Sequence, residues 1–104
     1  MIGNAIQSLI KWFRYPSVKK VLMYETLSET DFNFLGGKAF RPNVFIDISE
    51  YLNSKIETMK IYKSELGIHP FPRSEKSIIA LATLRGSQSG YQSAEAFELV
   101  MERY

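Results

Sequence analysis

Apolar residues recur with the period of a helix at the start of the chain. One stripe of an ideal helix would carry the following side chains: Ile2, Ala5, Ile6, Leu9, Ile10 and Phe13. This spacing predicts an amphipathic helix over Met1–Arg14 that ends before Pro16, with its apolar stripe facing the protein core. The segment is too short and too polar to span a membrane.

The same segment admits a second interpretation, a helix lying on an anionic membrane surface. Aromatic and basic residues suited to such an interface are Lys11, Trp12, Arg14, Lys19 and Lys20. Only Lys11 and Arg14 among the basic residues belong to the predicted helix. We therefore favour the core-facing helix and expect no membrane partner.

Two apolar runs predict β-strands. Val18–Leu27 contains an uninterrupted run from Val21 to Met23, and Asn43–Ile48 follows Pro42, a residue tolerated at the start of a strand. Uninterrupted apolar runs are typical of strands that are buried on both faces, so the pattern favours parallel pairing.

A long helix is predicted directly after the second strand. Asp47 suits its N-cap, with Glu50 three residues later to complete a capping box. Apolar residues then recur at helical spacing over Ile48–Leu66, and Gly67 follows where a left-handed residue commonly ends a helix.

A second helix is predicted after a proline-rich turn. Its N-cap is Ser74, and Gly86 marks its end. The final segment, Phe97–Tyr104, fits the period of a strand as well as that of a helix. The alternation of helices and strands predicts an α/β sandwich with parallel strands and helices covering the faces of the sheet.

Length and composition set limits on function. A chain of 104 residues makes one domain at most, and its net charge of +2 comes from mixed charges without a basic block. No nucleic-acid partner is therefore expected. The absence of cysteine excludes disulfides and thiol catalysis, and it fits a reducing compartment, so we expect a cytoplasmic protein.

The inventory of metal ligands is poor. A catalytic zinc site generally takes three protein ligands from His, Cys, Asp and Glu, whereas this chain has one histidine and no cysteine. His69 lies in the rigid turn before Pro70, where a turn or hydrogen-bonding role is more common than metal binding. The residues themselves predict neither a metal site nor a catalytic group.

Short motifs follow one another in a fixed order between residues 40 and 97. They are Phe40-Arg41-Pro42-Asn43, Phe45-Ile46-Asp47-Ile48-Ser49, Lys55-Ile56, Tyr62-Lys63-Ser64-Glu65, His69-Pro70, Pro72-Arg73-Ser74, Arg85-Gly86, Gly90 and Ala94-Glu95-Ala96-Phe97. This order resembles the C-terminal part of the LmbE/PIG-L family. Members are typically zinc-dependent deacetylases that remove acetate from N-acetylglucosaminyl groups. The resemblance favours a strand at Glu95–Met101.

The resemblance implies an incomplete domain. It would make residues 1–104 the C-terminal part of a Rossmann-like three-layer α/β/α sandwich with a mostly parallel sheet. The family's two metal motifs, Ala-His-Pro-Asp-Asp-Glu and His-x-Asp-His, are absent from this chain. We therefore expect no catalytic residue and no zinc here, and no activity of the chain alone, whereas a complete member would bind zinc.

What this part of the family could contribute is the rim of the substrate site. The resemblance makes Arg85 and Tyr91 candidate donors or stacking groups for sugar or phosphate, and Glu95 a candidate acceptor of sugar hydroxyls, with His69 as a further rim candidate. The alternative is that Arg85 and Glu95 pair with each other and only hold the loop. Relatives often carry an aromatic residue where Ser93 stands.

Two classes of function are open. The chain is either the C-terminal portion of a de-N-acetylase or a non-catalytic interaction or oligomerisation module derived from that family. Its expected partners are the missing N-terminal half or further copies of itself, and in a complete relative an N-acetylated sugar. A small number of strands cannot bury all of its apolar faces internally. We therefore expect the isolated chain to associate with a partner or with itself, or to be marginally stable.

Overall fold

The computed structural model describes residues 10–27, 31, 34, 39–62 and 66–104. These ranges contain three strands and two helices: β1 (Lys20–Tyr24), β2 (Val44–Asp47), α1 (Leu52–Ile61), α2 (Glu75–Ser89) and β3 (Ala94–Glu102). The mixed content of helix and strand agrees with the predicted α/β class. The sequence pattern left the final segment as either strand or helix. It is a strand, as the family resemblance favoured.

The sheet has the order β1-β3-β2, and β3 runs antiparallel to both neighbours. The predicted parallel pairing is therefore wrong for the described strands, and this sheet is not a parallel Rossmann sheet. The reason is the position of β3, which lies between the two earlier strands and separates them. The apolar runs also overstated burial, since Val21 is the one buried residue of β1 and β2 contains none.

The pairing of β2 with β3 extends beyond the strand itself. The backbone N–H of Asn43 donates to the carbonyl oxygen of Phe97 at 2.9 Å, and the side-chain Oδ1 of Asn43 accepts from the N–H of Leu99 at 2.7 Å. At the other end, the N–H of Ile48 donates to the carbonyl of Ser93 at 3.0 Å. These bonds join a four-residue strand firmly to the centre of the sheet.

Helix α1 begins later than predicted, and Asp47 is not its N-cap. The Asp47 carboxylate instead accepts the hydroxyl of Ser49 at 2.6 Å and the backbone N–H of Ser49 at 2.9 Å. The hydrogen bond from the Ser49 hydroxyl, followed in size by the one from its backbone N–H, lowers the pKa of Asp47. Because the N–H of Ile48 still bonds to the carbonyl of Ser93, the residue before β3, the helix starts only after the turn closed by the N–H of Tyr51 and the carbonyl of Ile48.

The helix ends also differ from the pattern. Helix α1 stops at Ile61, and Gly67 is not its left-handed end but forms a bridge with Ser74. Ser74 is the predicted N-cap of α2, since its hydroxyl accepts the N–H of Ser77 at 3.1 Å. The helix continues past Gly86 to end at Gly90, whose φ of 86° is left-handed.

Close approach of the turn between α2 and β3 explains why Gly86 lies inside the helix. A Cβ at this position would lie 2.5 Å from the carbonyl oxygen of Tyr91 and 2.8 Å from the backbone of Gln92. Small buried residues continue the contact on both elements, with Ala82 on α2 and Ala94 and Ala96 on β3. Leu84 of the same helix is half exposed.

The predicted N-terminal helix lies largely outside the described residues, which begin at Ile10. From there, the N–H groups of Arg14 and Tyr15 donate to the carbonyl of Lys11 in a single turn. Ile10 and Phe13 are exposed, so the core-facing prediction is wrong for these two side chains. No helix within the described ranges is long and apolar enough to cross a membrane.

Gly86→Ala tests the contact between α2 and β3. Alanine usually stabilises a helix interior relative to glycine by about 0.5 to 1 kcal/mol. Here we expect the opposite sign, a loss of about 1 to 3 kcal/mol, because the new methyl group meets backbone atoms. The midpoint of urea unfolding measures the change, with exposed Ser87→Ala in the same helix as the control. A stabilised Gly86→Ala variant would contradict the close approach.

Candidate functional site

A cleft of about 570 Å³ opens between the two helices and the sheet. Its lining comes from Tyr24–Leu27, from Lys55, Met59 and Tyr62 around α1, from Arg73, from Ile78, Leu81, Ala82 and Arg85 of α2, and from Ala94–Phe97 of β3. The volume falls in the range of roughly 300 to 1,000 Å³ typical of small-molecule sites. This cleft is the candidate site.

The lining combines apolar walls with a few charged groups. Aliphatic and aromatic side chains make most of the surface, and the charged residues are Glu25, Lys55, Arg73, Arg85 and Glu95. Cations exceed anions by one formal charge. Apolar walls with a small number of placed polar groups are the usual composition of a ligand pocket.

Arg85 and Glu25 form one ion pair of the cleft. The Nε of Arg85 donates to Oε1 of Glu25 at 3.0 Å, and Nη2 pairs with Oε2. The remaining nitrogen, Nη1, donates to Oε1 of Gln88 at 2.9 Å. The Arg85 and Glu25 side chains are only 14% and 13% exposed. Every guanidinium nitrogen therefore has a protein partner, and the pair ties the end of β1 to α2.

Lys55 and Glu95 form the second pair. Their Nζ and Oε1 atoms are 2.8 Å apart, and the side chains are 38% and 37% exposed. The predicted alternative, an Arg85–Glu95 pair, is wrong because each residue has a different partner. Sequence reasoning missed the role of Lys55, although Lys55-Ile56 is one of the family-like motifs. Nothing in a single sequence shows that a helix residue will reach a strand residue 40 positions later.

Tyr91 and His69 lie away from the cleft lining. Tyr91 is an exposed residue of the turn between α2 and β3, where its N–H donates to the carbonyl of Gly86 at 2.9 Å. His69 is exposed in the turn before α2, joined to Pro70 by a cis peptide bond. Among the predicted rim residues, the structure thus brings Arg85 and Glu95 together and places the other two elsewhere.

Ser93 has a structural position beside the site. It is buried, and its N–H donates to the hydroxyl of Ser49 at 3.2 Å. Its carbonyl accepts the N–H of Ile48, as described above. A small polar residue at this point therefore joins the end of β2 to the start of β3, next to Ala94 and Glu95 in the cleft.

The described residues do not fit a zinc site. No group of three or more His, Cys, Asp or Glu side chains in the described ranges is arranged to hold a metal ion. The two carboxylates of the cleft are each paired with a cation. No metal is assigned to these side chains.

Comparisons with protein-family models, with curated proteins and with solved structures found no match for this chain. The resemblance to the LmbE/PIG-L family therefore rests on the order of motifs between residues 40 and 97.

Proposed function

We propose that this chain is the C-terminal portion of an LmbE/PIG-L-like de-N-acetylase and forms one side of its site for N-acetylglucosaminyl substrates. The observation that carries the proposal is the cleft. Arg85 and Glu95 come from different elements, and both line it. They are also two of the residues that the family-like motifs single out.

The roles of the two ion pairs in the cleft differ. Lys55 and Glu95 are each more than one-third exposed, so a ligand can reach the ammonium as a donor and the carboxylate as an acceptor. Sugar hydroxyls need both kinds of partner. Arg85 can reach a ligand only by leaving Glu25. The largely buried Glu25 carboxylate would then have lost its charged partner. We assign substrate contact to Lys55–Glu95 and a scaffold role to Arg85–Glu25.

The upstream part of a complete protein supplies the rest of the fold in this proposal. Within the described residues, β1 has a neighbouring strand on one side only. Large sheets that are mainly parallel often carry an antiparallel strand at one edge. The antiparallel sheet seen here would then be the edge of a three-layer α/β/α sandwich, whose parallel strands precede this part of the chain.

Catalysis belongs to that upstream part as well. In a complete relative, the two histidine-containing motifs of the upstream part would bind the zinc and supply the catalytic base. The present chain would position the sugar through Lys55 and Glu95 and would be inactive alone. A cytoplasmic location remains the expectation from the absence of cysteine.

A second proposal is a non-catalytic module that associates with itself or with a catalytic partner. Its support is the exposure of large apolar side chains, including Tyr24 at the end of β1 and Ile46 in β2. An open reading frame upstream of Met1 that carries the two histidine motifs would favour the first proposal. A genuine start codon without such a neighbour would favour the second.

Arg85→Ala separates scaffold from substrate contact. We expect the free energy of unfolding to fall by about 1 to 3 kcal/mol, because Glu25 loses its charged partner in a largely buried position. Chemical unfolding of the full chain measures this loss. The double variant Glu25→Leu/Arg85→Met should recover much of it.

Lys55→Ala is the matched control for this experiment. The more exposed pair should contribute less than about 1 kcal/mol to stability. An Arg85→Ala protein as stable as Lys55→Ala would show that Arg85 does not hold β1 to α2.

A chimera tests the proposed activity. Residues 39–104 would replace the matching C-terminal part of a complete, active LmbE/PIG-L deacetylase. We expect the chimera to hydrolyse the relative's N-acetylglucosaminyl substrate. Lys55→Ala or Glu95→Gln in it should lower kcat/KM by an amount equivalent to about 1 to 3 kcal/mol, because hydroxyl contacts are lost.

Lys76→Ala, an exposed position on α2 outside the cleft, is the control for the chimera. A folded but inactive chimera would count against the de-N-acetylase proposal. An active chimera that is insensitive to Lys55 and Glu95 would remove only their assigned role.

The chain by itself should neither bind stoichiometric zinc nor deacetylate N-acetylglucosaminyl substrates, because the family's metal motifs are absent. Metal analysis of protein purified in the presence of zinc, with an assay of acetate release, checks both statements. About one zinc per chain, together with activity that a chelator removes, would refute this prediction.

A further inference from the structure

The segment from Ile10 to Lys20 displays aromatic side chains to solvent. Trp12 and Phe13 are 62% and 63% exposed, and Ile10 and Tyr15 are exposed as well. The rings of Trp12 and Phe13 meet edge to face, with centroids 5.9 Å apart. Exposed tryptophan and phenylalanine side by side are uncommon on a surface that contacts only water.

Basic residues accompany these rings in the same segment. Lys11, Arg14, Lys19 and Lys20 are all exposed, and the segment contains no acidic residue. Arg103 joins them, since its Nη2 donates to the carbonyl of Pro16 at 2.6 Å. We call residues 10–20 together with Arg103 the basic aromatic patch.

Acidic residues offset little of this charge. Glu102 pairs with Lys20 at 3.5 Å. The four cations of residues 10–20 alone exceed the net charge of +2 of the whole chain. Residues 10–20 therefore carry four cations and no acidic residue, and the pair with Glu102 involves only Lys20.

The backbone explains why these side chains point outward. The carbonyl of Lys11 accepts from Arg14 and Tyr15, and the carbonyl of Tyr15 accepts from Val18, so residues 11–18 form two successive turns. The N–H of Arg103 then donates to the carbonyl of Lys19 at 2.6 Å, which attaches the segment to the end of β3. The patch is thus held to the sheet at one end and projects its rings at the other.

We propose that the basic aromatic patch binds the surface of an anionic lipid bilayer. Tryptophan and other amphipathic aromatic side chains favour the headgroup region, where the ring is shielded and the polar edge stays hydrated. Lysine and arginine next to them are attracted to negatively charged lipids, with an effect of about fivefold in affinity for each cation near the surface. Binding of this kind needs no spanning helix.

The observations favour a bilayer over a nucleic acid, the other common partner of basic aromatic surfaces. Ile10 extends the exposed surface beyond groups that stack on bases, and the edge of one ring in the Trp12–Phe13 pair meets the face of the other. Single-stranded nucleic acids bind most readily to open aromatic faces along a groove. An apolar tip surrounded by cations instead matches a membrane interface.

Trp12 provides a direct test, because it is the chain's single tryptophan. The full chain would be titrated with vesicles of equal parts phosphatidylserine and phosphatidylcholine. We expect its fluorescence emission to shift to shorter wavelength and the protein to sediment with the vesicles. Vesicles of phosphatidylcholine alone should have little effect, and added salt should weaken binding by screening the charges.

Variants separate the two parts of the patch. Lys11→Glu/Arg14→Glu should weaken vesicle binding at least about tenfold, since each reversal removes one attraction and adds a repulsion. Phe13→Ala should weaken binding while retaining the dependence on salt. The controls are Arg41→Glu/Lys76→Glu, which reverses two exposed charges elsewhere, and Tyr51→Ala, which removes a ring that is 64% exposed. Circular dichroism confirms that each variant is folded.

Three results would overturn the proposal. The first is equal binding to anionic and neutral vesicles, or none to either. The second is an emission shift that depends on protein concentration without lipid, which would assign the patch to self-association. The third is tighter binding of a single-stranded oligonucleotide than of anionic vesicles.

Discussion

The packing of α2 on β3 is the contact on which the rest of the described structure depends. Gly86 lets the turn before β3 come back against the helix, since any larger residue would meet the backbone at Tyr91 and Gln92, and Gly90 ends the helix in a left-handed conformation that turns the chain toward β3. The strand entering from this turn becomes the centre of the sheet, with β1 and β2 on its two sides. The cleft then lies between this helix, α1 and the sheet.

The same contact determines which charged groups meet. Arg85 on α2 forms an ion pair with Glu25, which follows β1. Glu95 at the start of β3 pairs instead with Lys55 of α1. Two pairs of similar chemistry then differ in exposure, and exposure decides what each can do. A largely buried pair is costly to break and serves to hold elements together, whereas a half-exposed pair loses little when a ligand replaces one partner.

The basic aromatic patch lies outside this arrangement. Its side chains are not part of the described core, and its connection to the sheet is made through backbone and arginine contacts at Lys19 and Pro16. The cleft and the patch therefore offer two different kinds of surface, one concave with balanced ion pairs and one projecting with excess positive charge. A lipid-bound protein that also holds a sugar in its cleft would use both, although neither proposal depends on the other.

The sequence by itself determined the local features. These features are the Ser74 cap, the existence of β1 and β2, and the small number of His and Cys residues. They depend on neighbouring residues or on composition, and both can be read from a linear chain. Only the tertiary structure decided the strand direction, the continuation of α2 past Gly86 and the partners of Arg85 and Glu95. Asp47 shows why: its residue type suits a helix cap, but Asp47 is the last residue of β2, and the bond between Ile48 and Ser93 holds the next residue beside the start of β3. Contacts between residues far apart in sequence select among conformations that local preference leaves open.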